Sequence, residues 1–175
     1  MGGVLLIVFG GLPGTGKTTL ARQVAAEYRA TYLRIDTIEQ ALRSSGMLSG
    51  DVGACGYLVA YALAGSNLKL GRTVVADSVN PLAVTRAAWR AVAASAGSAI
   101  IEVEMVCSDV AEHRRRVETR AADVAGLVLP AWQAVIERDY EHWDRPRIVL
   151  DTAHRTIAEC LQELRSRIDL GLQHP

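Results

Sequence analysis

Short apolar runs alternate along the chain with longer stretches in which apolar residues recur every three or four positions. The longer stretches have the spacing of amphipathic helices, as in Leu20, Val24 and Tyr28. Because strands that alternate with helices form parallel sheets, the pattern predicts an α/β three-layer sandwich with helices on both faces of a parallel sheet. The short runs predict five strands, at residues 4–9, 31–35, 73–76, 100–107 and 147–150.

The fourth predicted strand contains two acids. Glu102 and Glu104 alternate there with Ile101, Val103 and Met105. A carboxylate in a strand that is covered on both faces is costly to bury without a partner. We therefore expect this part of the strand to be exposed.

Length, charge and cysteine content narrow the class of protein. The chain has 175 residues, so we expect a single domain over residues 1–175, with the apolar run at 4–9 as a buried strand. Its 19 basic and 19 acidic residues cancel, so no nucleic-acid or membrane partner is expected. The 3 cysteines include no closely spaced pair, which argues against a disulfide framework or zinc site and favours a cytoplasmic location.

A glycine-rich segment follows the first predicted strand and opens the first predicted helix. It reads Gly11-Leu12-Pro13-Gly14-Thr15-Gly16-Lys17-Thr18 and satisfies the P-loop pattern. We expect Lys17 beside the β- and γ-phosphates as a catalytic residue, and Thr18 as a ligand of Mg²⁺. The alternative is a glycine-rich turn with an exposed lysine. The backbone N–H groups expected to bind the phosphates of ATP are those of Gly14, Thr15, Gly16, Lys17, Thr18 and Thr19.

Two acids are expected at the carboxyl ends of strands, where open parallel sheets bind their ligands. Asp77 follows an apolar run and is expected to hold Mg²⁺ directly or through water. Its alternative role is a helix N-cap, although Asn80-Pro81 is a better cap and first-turn pair for the next helix. Asp36 follows the second strand and is expected to be the general base, but with Glu39 it also resembles a capping box.

A charged helical pattern follows the fourth strand and leads into a weakly periodic stretch, so we expect a lid at about residues 116–131. Arg116 and Arg120 lie four residues apart and share a helix face. We expect both to be catalytic, by placing positive charge near the transferred phosphate, and Arg116 also to bind the nucleotide. The alternative is a solvated helix face with Glu112 and Glu118 as partners.

Several other residues carry weaker indications. Arg86 and Arg90 share a helix face and are expected to be solvated. Tyr57 and Tyr61 have two interpretations, as part of a substrate pocket or as ordinary core residues. No ligand or triad spacing relates the histidines, to which we assign no chemistry: His113, His142, His154 and His174.

The P-loop, Asp36, Asp77 and the pair Arg116 and Arg120 together resemble the P-loop kinases, a group of P-loop NTPases. The group includes gluconate, shikimate and adenylylsulfate kinases, chloramphenicol phosphotransferase, polynucleotide kinase and zeta toxins. More specifically, the chain is similar to compact bacterial proteins known as AAA family ATPases or predicted kinases.

The resemblance implies a five-stranded parallel sheet in the order 2-3-1-4-5 and a short lid after Arg120. It also implies that Asp151 and Thr152 lie beside adenine, although Asp151 and Thr152 also fit a simple helix cap. The paired acids of shikimate kinase are absent, because no acid stands two residues after Asp36. The pocket for the phosphate acceptor is expected to be built from the segment between Asp36 and Arg72.

On this basis we expect an ATP-dependent phosphotransferase that transfers the γ-phosphate to a hydroxyl of an unidentified small molecule. One alternative is a kinase that acts on a macromolecule or a nucleotide sugar, as polynucleotide kinases and zeta toxins do. Another is a nucleotide-binding ATPase that is not a kinase. A GTPase is disfavoured, because the sequence contains no guanine-reading NKxD motif.

Overall fold

The computed structural model describes residues 4–47 and 50–173, so the remaining residues of the predicted domain 1–175, including His174, lie outside the described residues. All five predicted strands are present, and their ends differ from the predicted ends by no more than one residue. In chain order the elements are β1 (Leu5–Gly10), α1 (Lys17–Glu27), β2 (Thr31–Arg34), α2 (Ile35–Ser44), α3 (Cys55–Lys69), β3 (Val74–Asp77), α4 (Ala83–Ala96), β4 (Ala99–Val106), α5 (Val110–Thr119), α6 (Trp132–Ile136), β5 (Ile148–Asp151) and α7 (Ile157–Gln173).

The strands form one parallel sheet in the order β2-β3-β1-β4-β5, which confirms the predicted order. Every residue of the apolar strand β1 is buried, in keeping with its central position. In the register, Phe9 of β1 is opposite Asp77 of β3, and Asp77 is opposite Arg34 of β2. The carboxyl ends of these three strands therefore lie at one edge of the sheet, where the segments after them can meet.

Alternate residues of β1 face the two layers of helices. Leu5, Ile7 and Phe9 pack into a core cluster with residues of α1 and α7. Leu6 and Val8 pack into a second cluster with residues of α3 and α4. The sheet is thus covered by helices on both faces, as predicted. None of the helices in the described part of the chain is long and apolar enough to cross a membrane.

The two acids of β4 are buried, so the prediction of an exposed strand end is wrong. Glu102 and Glu104 are only 7% and 8% exposed. Arg90 of α4 donates to both carboxylate oxygens of Glu102 at 3.1 Å, and Arg147 donates to Glu104 at 2.6 Å. Because each buried carboxylate has a cation from another element, the cost of its burial is offset.

Arg86 is fully buried, contrary to the prediction that it is solvated. Its guanidinium donates to the carbonyl oxygens of Asn80, Pro81 and His142 at 3.0 to 3.3 Å. It also lies 4.8 Å from the centre of the Trp143 ring. Arg86 therefore ties the loop after β3 to the segment before β5, a role that requires partners distant in sequence.

Helix α4 begins at Ala83 with Leu82 in the N-cap position, so the predicted cap at Asn80-Pro81 is wrong. Asn80 instead has a φ of 51° and donates its backbone N–H to the hydroxyl of Tyr57 at 3.0 Å. The loop after β3 is thus held by contacts with α3 and with Arg86, and these override the local capping preference.

We expect Arg86→Ala to lower the free energy of unfolding by about 3 kcal/mol, because it removes a donor from the carbonyl oxygens of Asn80, Pro81 and His142 and opens a cavity. Urea unfolding followed by circular dichroism measures this. The control is Arg114→Ala, which removes an exposed arginine paired with Glu118 and should cost no more than about 0.5 kcal/mol. Equal losses in the two variants would contradict a structural role for Arg86.

Candidate active site

The P-loop joins β1 to α1 in a conformation that requires glycine at two positions. Gly11 has a φ of 138° and Gly14 a φ of 86°. A Cβ atom at Gly11 would overlap the carbonyl oxygen of Met105, and one at Gly14 would lie 2.6 Å from the side chain of Val117. Only glycine therefore allows the loop to lie this close to β4 and α5.

The N-terminus of α1 has no side-chain cap and opens onto a cavity. Gly16 occupies the N-cap position with a φ of 85° and makes no side-chain capping bond. The first N–H groups of a helix have no partner within it, so those of Lys17, Thr18 and Thr19 can bind an anion. We call this space of about 550 Å³ the P-loop cavity; its wall includes Gly14, Gly16, Lys17, Thr18 and Thr19.

Thr15, also predicted to bind phosphate, supports the loop from its inner side and is only 2% exposed. Its hydroxyl donates to the carbonyl oxygen of Leu12 at 2.9 Å, and its own carbonyl oxygen accepts from the Thr152 hydroxyl at 3.0 Å. His113 provides further support, because its Nε2 lies 2.8 Å from the carbonyl oxygen of Pro13 and must donate there. No local pattern marks His113 in the sequence, since its partner lies 100 residues away.

Asp77 lies at the end of β3, 2% exposed, and links the P-loop to the neighbouring strand. The Nζ atom of Lys17 lies 3.9 Å from Oδ1 of Asp77, and the Tyr32 hydroxyl donates to Oδ2 at 2.7 Å. Burial, then the negative charge of Asp77, raise the pKa of Tyr32, so this hydroxyl stays protonated and remains a donor. The structure thus brings together the residues predicted to contact phosphate and metal.

Arg34 lies among three carboxylates and is 8% exposed. Its NH1 donates to Asp123 at 2.7 Å, its NH2 donates to Asp36 at 3.2 Å, and its Nε lies 3.9 Å from Asp77. Arg22 also contacts Asp123 at 2.7 Å, and the bond from Arg34 lowers the pKa of Asp123. No local pattern in the sequence marks Arg34, because only the tertiary structure shows which acids surround it.

Asp36 lies within the first turn of α2, which begins at Ile35 with Arg34 in the N-cap position. It is therefore not the N-cap, and the capping-box alternative with Glu39 is wrong. Helix α2 starts two residues earlier than the capping-box pattern suggested, because the chain passes directly from β2 into the helix. The side chain of Asp36 is 40% exposed, so part of its carboxylate is available to a ligand.

A second cavity, of about 890 Å³, lies beside α2 and α3, and we call it the α2–α3 cavity. Asp36 lines it, as do Tyr57 and Tyr61, which agrees with the pocket interpretation of these tyrosines. The P-loop cavity and the α2–α3 cavity adjoin at a shared group of residues. This group, which lines both cavities, consists of Lys17, Thr18, Arg34, Arg120 and Leu129.

The two arginines of the predicted lid occupy different places. Arg120 lines both cavities, and within residues 4–47 and 50–173 its Nε is buried without a hydrogen-bond partner. Burial lowers the pKa of Arg120. Arg116 lines the P-loop cavity, where its guanidinium donates to the hydroxyl and carbonyl of Thr152 at 2.8 and 2.9 Å and to Glu112 at 2.5 Å.

Residues 116–119 of the predicted lid belong to α5, whereas residues 120–131 are not helical.

Thr152 also lines the P-loop cavity, and Asp151 accepts from the backbone of Ser108 at 3.0 Å. Neither residue caps α7, so that alternative is wrong. The cap of α7 is formed by Thr156 and Glu159, whose side chains each accept from the other's backbone N–H at 3.3 and 2.8 Å.

The oxygen atoms that this site offers suit a metal ion that is bound jointly by the protein and a nucleotide. In the described ranges, no group of three or more His, Cys, Asp or Glu side chains could hold a metal on its own. Mg²⁺ commonly binds one or two protein oxygens together with phosphate oxygens and water. The hydroxyl of Thr18 on the wall of the P-loop cavity and the carboxylate of Asp77 near Lys17 fit that arrangement.

Known structures share this fold along nearly the whole chain. The APS kinase CysC of Mycobacterium tuberculosis, solved with AMPPNP and APS, is 24% identical with a TM-score of 0.71, over 97% of this chain and 99% of that one. A gluconokinase from Sinorhizobium meliloti is 20% identical with a TM-score of 0.65, over 99% and 98%. Chaetomium thermophilum Kti12, solved with ADP-AlF3, is 24% identical with a TM-score of 0.69, over 94% and 97%. The fold is that of the P-loop kinases.

Sequence comparison identifies the family. Uncharacterized proteins of Mycobacterium tuberculosis and Mycobacterium bovis are 30% identical over 181 residues, which cover 94% of this chain and 36% of theirs. The chain thus spans about a third of the length of these curated relatives. A family model described as "AAA domain" matches residues 6–138, which is most of the chain. The chain therefore belongs to this AAA domain family.

Proposed function

We propose that the protein is an ATP-dependent kinase that transfers the γ-phosphate of ATP to a hydroxyl of a small molecule. The observation that carries this proposal is the contact between two cavities at Lys17, Thr18, Arg34 and Arg120. One cavity has a P-loop on its wall, and the other has a carboxylate, Asp36, at its polar end. A donor and an acceptor bound in the two spaces would meet among these positive charges.

In this proposal the P-loop holds the nucleotide. The N–H groups of Gly16, Lys17, Thr18 and Thr19 bind phosphate oxygens, and the ammonium group of Lys17 lies between the β- and γ-phosphates. Arg116, anchored by Thr152 and Glu112, contacts the nucleotide on the far side of the P-loop cavity from Asp36. This division agrees with the fact that Arg116 lines only the P-loop cavity whereas Arg120 lines both.

The metal would be held by Thr18 and, directly or through water, by Asp77. When bound, Mg²⁺ neutralises charge that develops on the β- and γ-phosphate oxygens. Tyr32 keeps one oxygen of Asp77 hydrogen-bonded, which leaves the other oxygen facing Lys17. The orientation of the carboxylate is thereby set before a nucleotide binds.

Asp36 would act as the general base. It accepts the proton of the acceptor hydroxyl while that oxygen forms a bond to the γ-phosphorus and the bond from phosphorus to the β–γ bridging oxygen breaks, which releases ADP. Lys17 and Arg120 stabilise the negative charge on the transferred group. Residues 120–131 would serve as the lid, which Arg34 and Arg22 fasten through Asp123.

Two similarities support the proposal. The APS kinase structure contains an ATP analogue together with a small acceptor, and the gluconokinase is named for a small polyol acid. The direct test is incubation of the protein with Mg·ATP and a metabolite library, with ATP consumption and product mass both measured. A product heavier than one library compound by a phosphoryl group is expected. ATP hydrolysis at the same rate with and without every compound would instead favour a non-kinase ATPase.

Lys17→Ala should reduce phosphoryl transfer by more than about 10³-fold in a variant that is still folded, because it removes a charge at the γ-phosphate. The matched control is Lys69→Ala, on the exposed end of α3, which should keep full activity. Transfer assays and thermal melts on both variants provide the measurement. Wild-type turnover in Lys17→Ala would exclude the proposed phosphate site.

Asp77→Asn should raise the magnesium concentration needed for half-maximal activity about tenfold or more, since it removes a charge from the metal site and keeps the side-chain shape. Activity is measured over a magnesium titration at saturating ATP. Asp144→Asn, an exposed acid before β5, is the control. An unchanged titration in Asp77→Asn would mean that Asp77 has a structural role alone.

Asp36→Asn should lower kcat by about 10² to 10⁴-fold with little change in ATP affinity, because an amide cannot accept the proton. Asp36 does not cap α2, so the free energy of unfolding should change by less than about 1 kcal/mol. Single-turnover transfer, an ATP-binding titration and a melt separate these effects. Asp51→Asn, an exposed acid of the same segment, is the control. If both variants transfer phosphate at the wild-type rate, Asp36 is not the base.

A further inference from the structure

The α2–α3 cavity is polar where it meets the P-loop cavity and apolar along much of the rest of its wall. Many of its apolar residues come from α3, from the loop after β3 with the start of α4, and from the loop 120–131. Several of them are exposed to a degree unusual for large apolar side chains: Leu58 is 61% exposed, Val84 70% and Val128 88%. Exposed apolar side chains that converge on one concave surface indicate a ligand with an apolar surface.

The two tyrosines on the wall have their hydroxyl groups bound to the protein. The Tyr57 hydroxyl accepts from the backbone N–H of Asn80 at 3.0 Å, and the Tyr61 hydroxyl donates to the carbonyl oxygen of Thr85 at 3.2 Å. Burial raises the pKa of both hydroxyls, so both remain protonated. Each hydroxyl thus already has a backbone partner, and the ring is the larger part of each side chain left for a ligand.

Several other polar side chains of this wall are also engaged locally, whereas Arg138 has no hydrogen bond or ion pair within the described residues. Thr85 donates its hydroxyl to the carbonyl oxygen of Leu82 at 2.8 Å, and Gln40 donates to Ser44 at 3.2 Å. Glu39 is paired with Arg43 at 3.2 Å. A polyol needs many free donors and acceptors around it, because each hydroxyl that is buried without a partner costs binding energy. Beyond Asp36, Arg138 and the residues shared with the P-loop cavity, this wall offers few.

We infer that the phosphate acceptor is an alcohol carried on an apolar, ring-containing body, and not a polyol such as a sugar. The inference rests on the proposed kinase function, since Asp36 and Arg120 at the polar end would act on the hydroxyl while the apolar wall binds the body. The cavity volume of about 890 Å³ lies within the range of pockets that enclose whole small molecules.

The binding test compares 2-(2-naphthyl)ethanol with myo-inositol by isothermal titration calorimetry, in the presence of Mg²⁺ and a non-hydrolysable ATP analogue. The naphthyl alcohol should bind at least about tenfold more tightly, because its ring can replace water on the apolar wall. Equal affinities, or tighter binding of myo-inositol, would overturn the inference.

A matched pair of variants on α3 tests where the ring binds. Leu58→Asn changes a residue of the cavity wall, whereas Leu63→Asn changes an apolar residue of the same helix that is 43% exposed and does not line the cavity. The affinity for the naphthyl alcohol should fall about tenfold in Leu58→Asn and less than twofold in Leu63→Asn. Equal changes in the two variants would show that the alcohol binds elsewhere and would refute the inference. Thermal melts verify that both variants are folded.

A transfer assay separates this inference from the proposed function. Each alcohol is incubated with the wild-type protein and Mg·ATP, and phosphorylated product is identified by mass. Product from the naphthyl alcohol supports both proposals. Product from myo-inositol without product from the naphthyl alcohol contradicts the acceptor class and leaves the kinase function intact. Tight binding of the naphthyl alcohol without transfer to it or to any compound of the metabolite library contradicts the kinase function.

Discussion

The parallel alignment of β1, β2 and β3 is the constraint on which the candidate site depends. Because Phe9, Asp77 and Arg34 lie in register, the segments that follow the three strands leave the sheet at the same edge. The P-loop follows β1, Asp77 ends β3, and α2 continues directly from β2 with Asp36 in its first turn. The P-loop, the candidate metal-binding acid and the candidate base are thereby placed at one edge of the sheet by the register of its backbone hydrogen bonds.

Arg34 adds an electrostatic connection to this backbone arrangement. One buried guanidinium contacts Asp36 of the candidate base position, Asp77 of the candidate metal position and Asp123 of the loop 120–131. Such a cation lowers the cost of gathering three acids beside a site for anionic phosphate. It also makes the position of the loop and the position of Asp36 depend on the same side chain. Arg34 is thus a positioning residue for the proposed reaction.

The fold constrains the donor more closely than the acceptor. A P-loop at a helix N-terminus is suited to bind phosphate groups. The proposed binding of ATP therefore does not depend on the identity of the second substrate. In the proposed reaction the acceptor would be selected by side chains on α3, on α4 and in the loop 120–131, which lie outside the P-loop. In this chain those side chains form an apolar wall whose tyrosine hydroxyls are already occupied. The chemistry of that wall, and not the P-loop, carries the inference about the acceptor.

The sequence by itself determined the five strands, the parallel sheet, and the P-loop with its helix, because these depend on local periodicity and on a motif whose residues are adjacent. The order of the strands was expected only from the resemblance to the P-loop kinases. Only the tertiary structure decided which charged residues are buried and which groups they contact. Glu104 is buried because Arg147, 43 residues away, reaches it, and His113 supports Pro13 from a distance of 100 residues. Arg34 likewise meets Asp123 across 89 residues. A charged side chain is buried only where its interactions with partners offset the free energy of desolvation. Partners that are distant in sequence leave no local pattern.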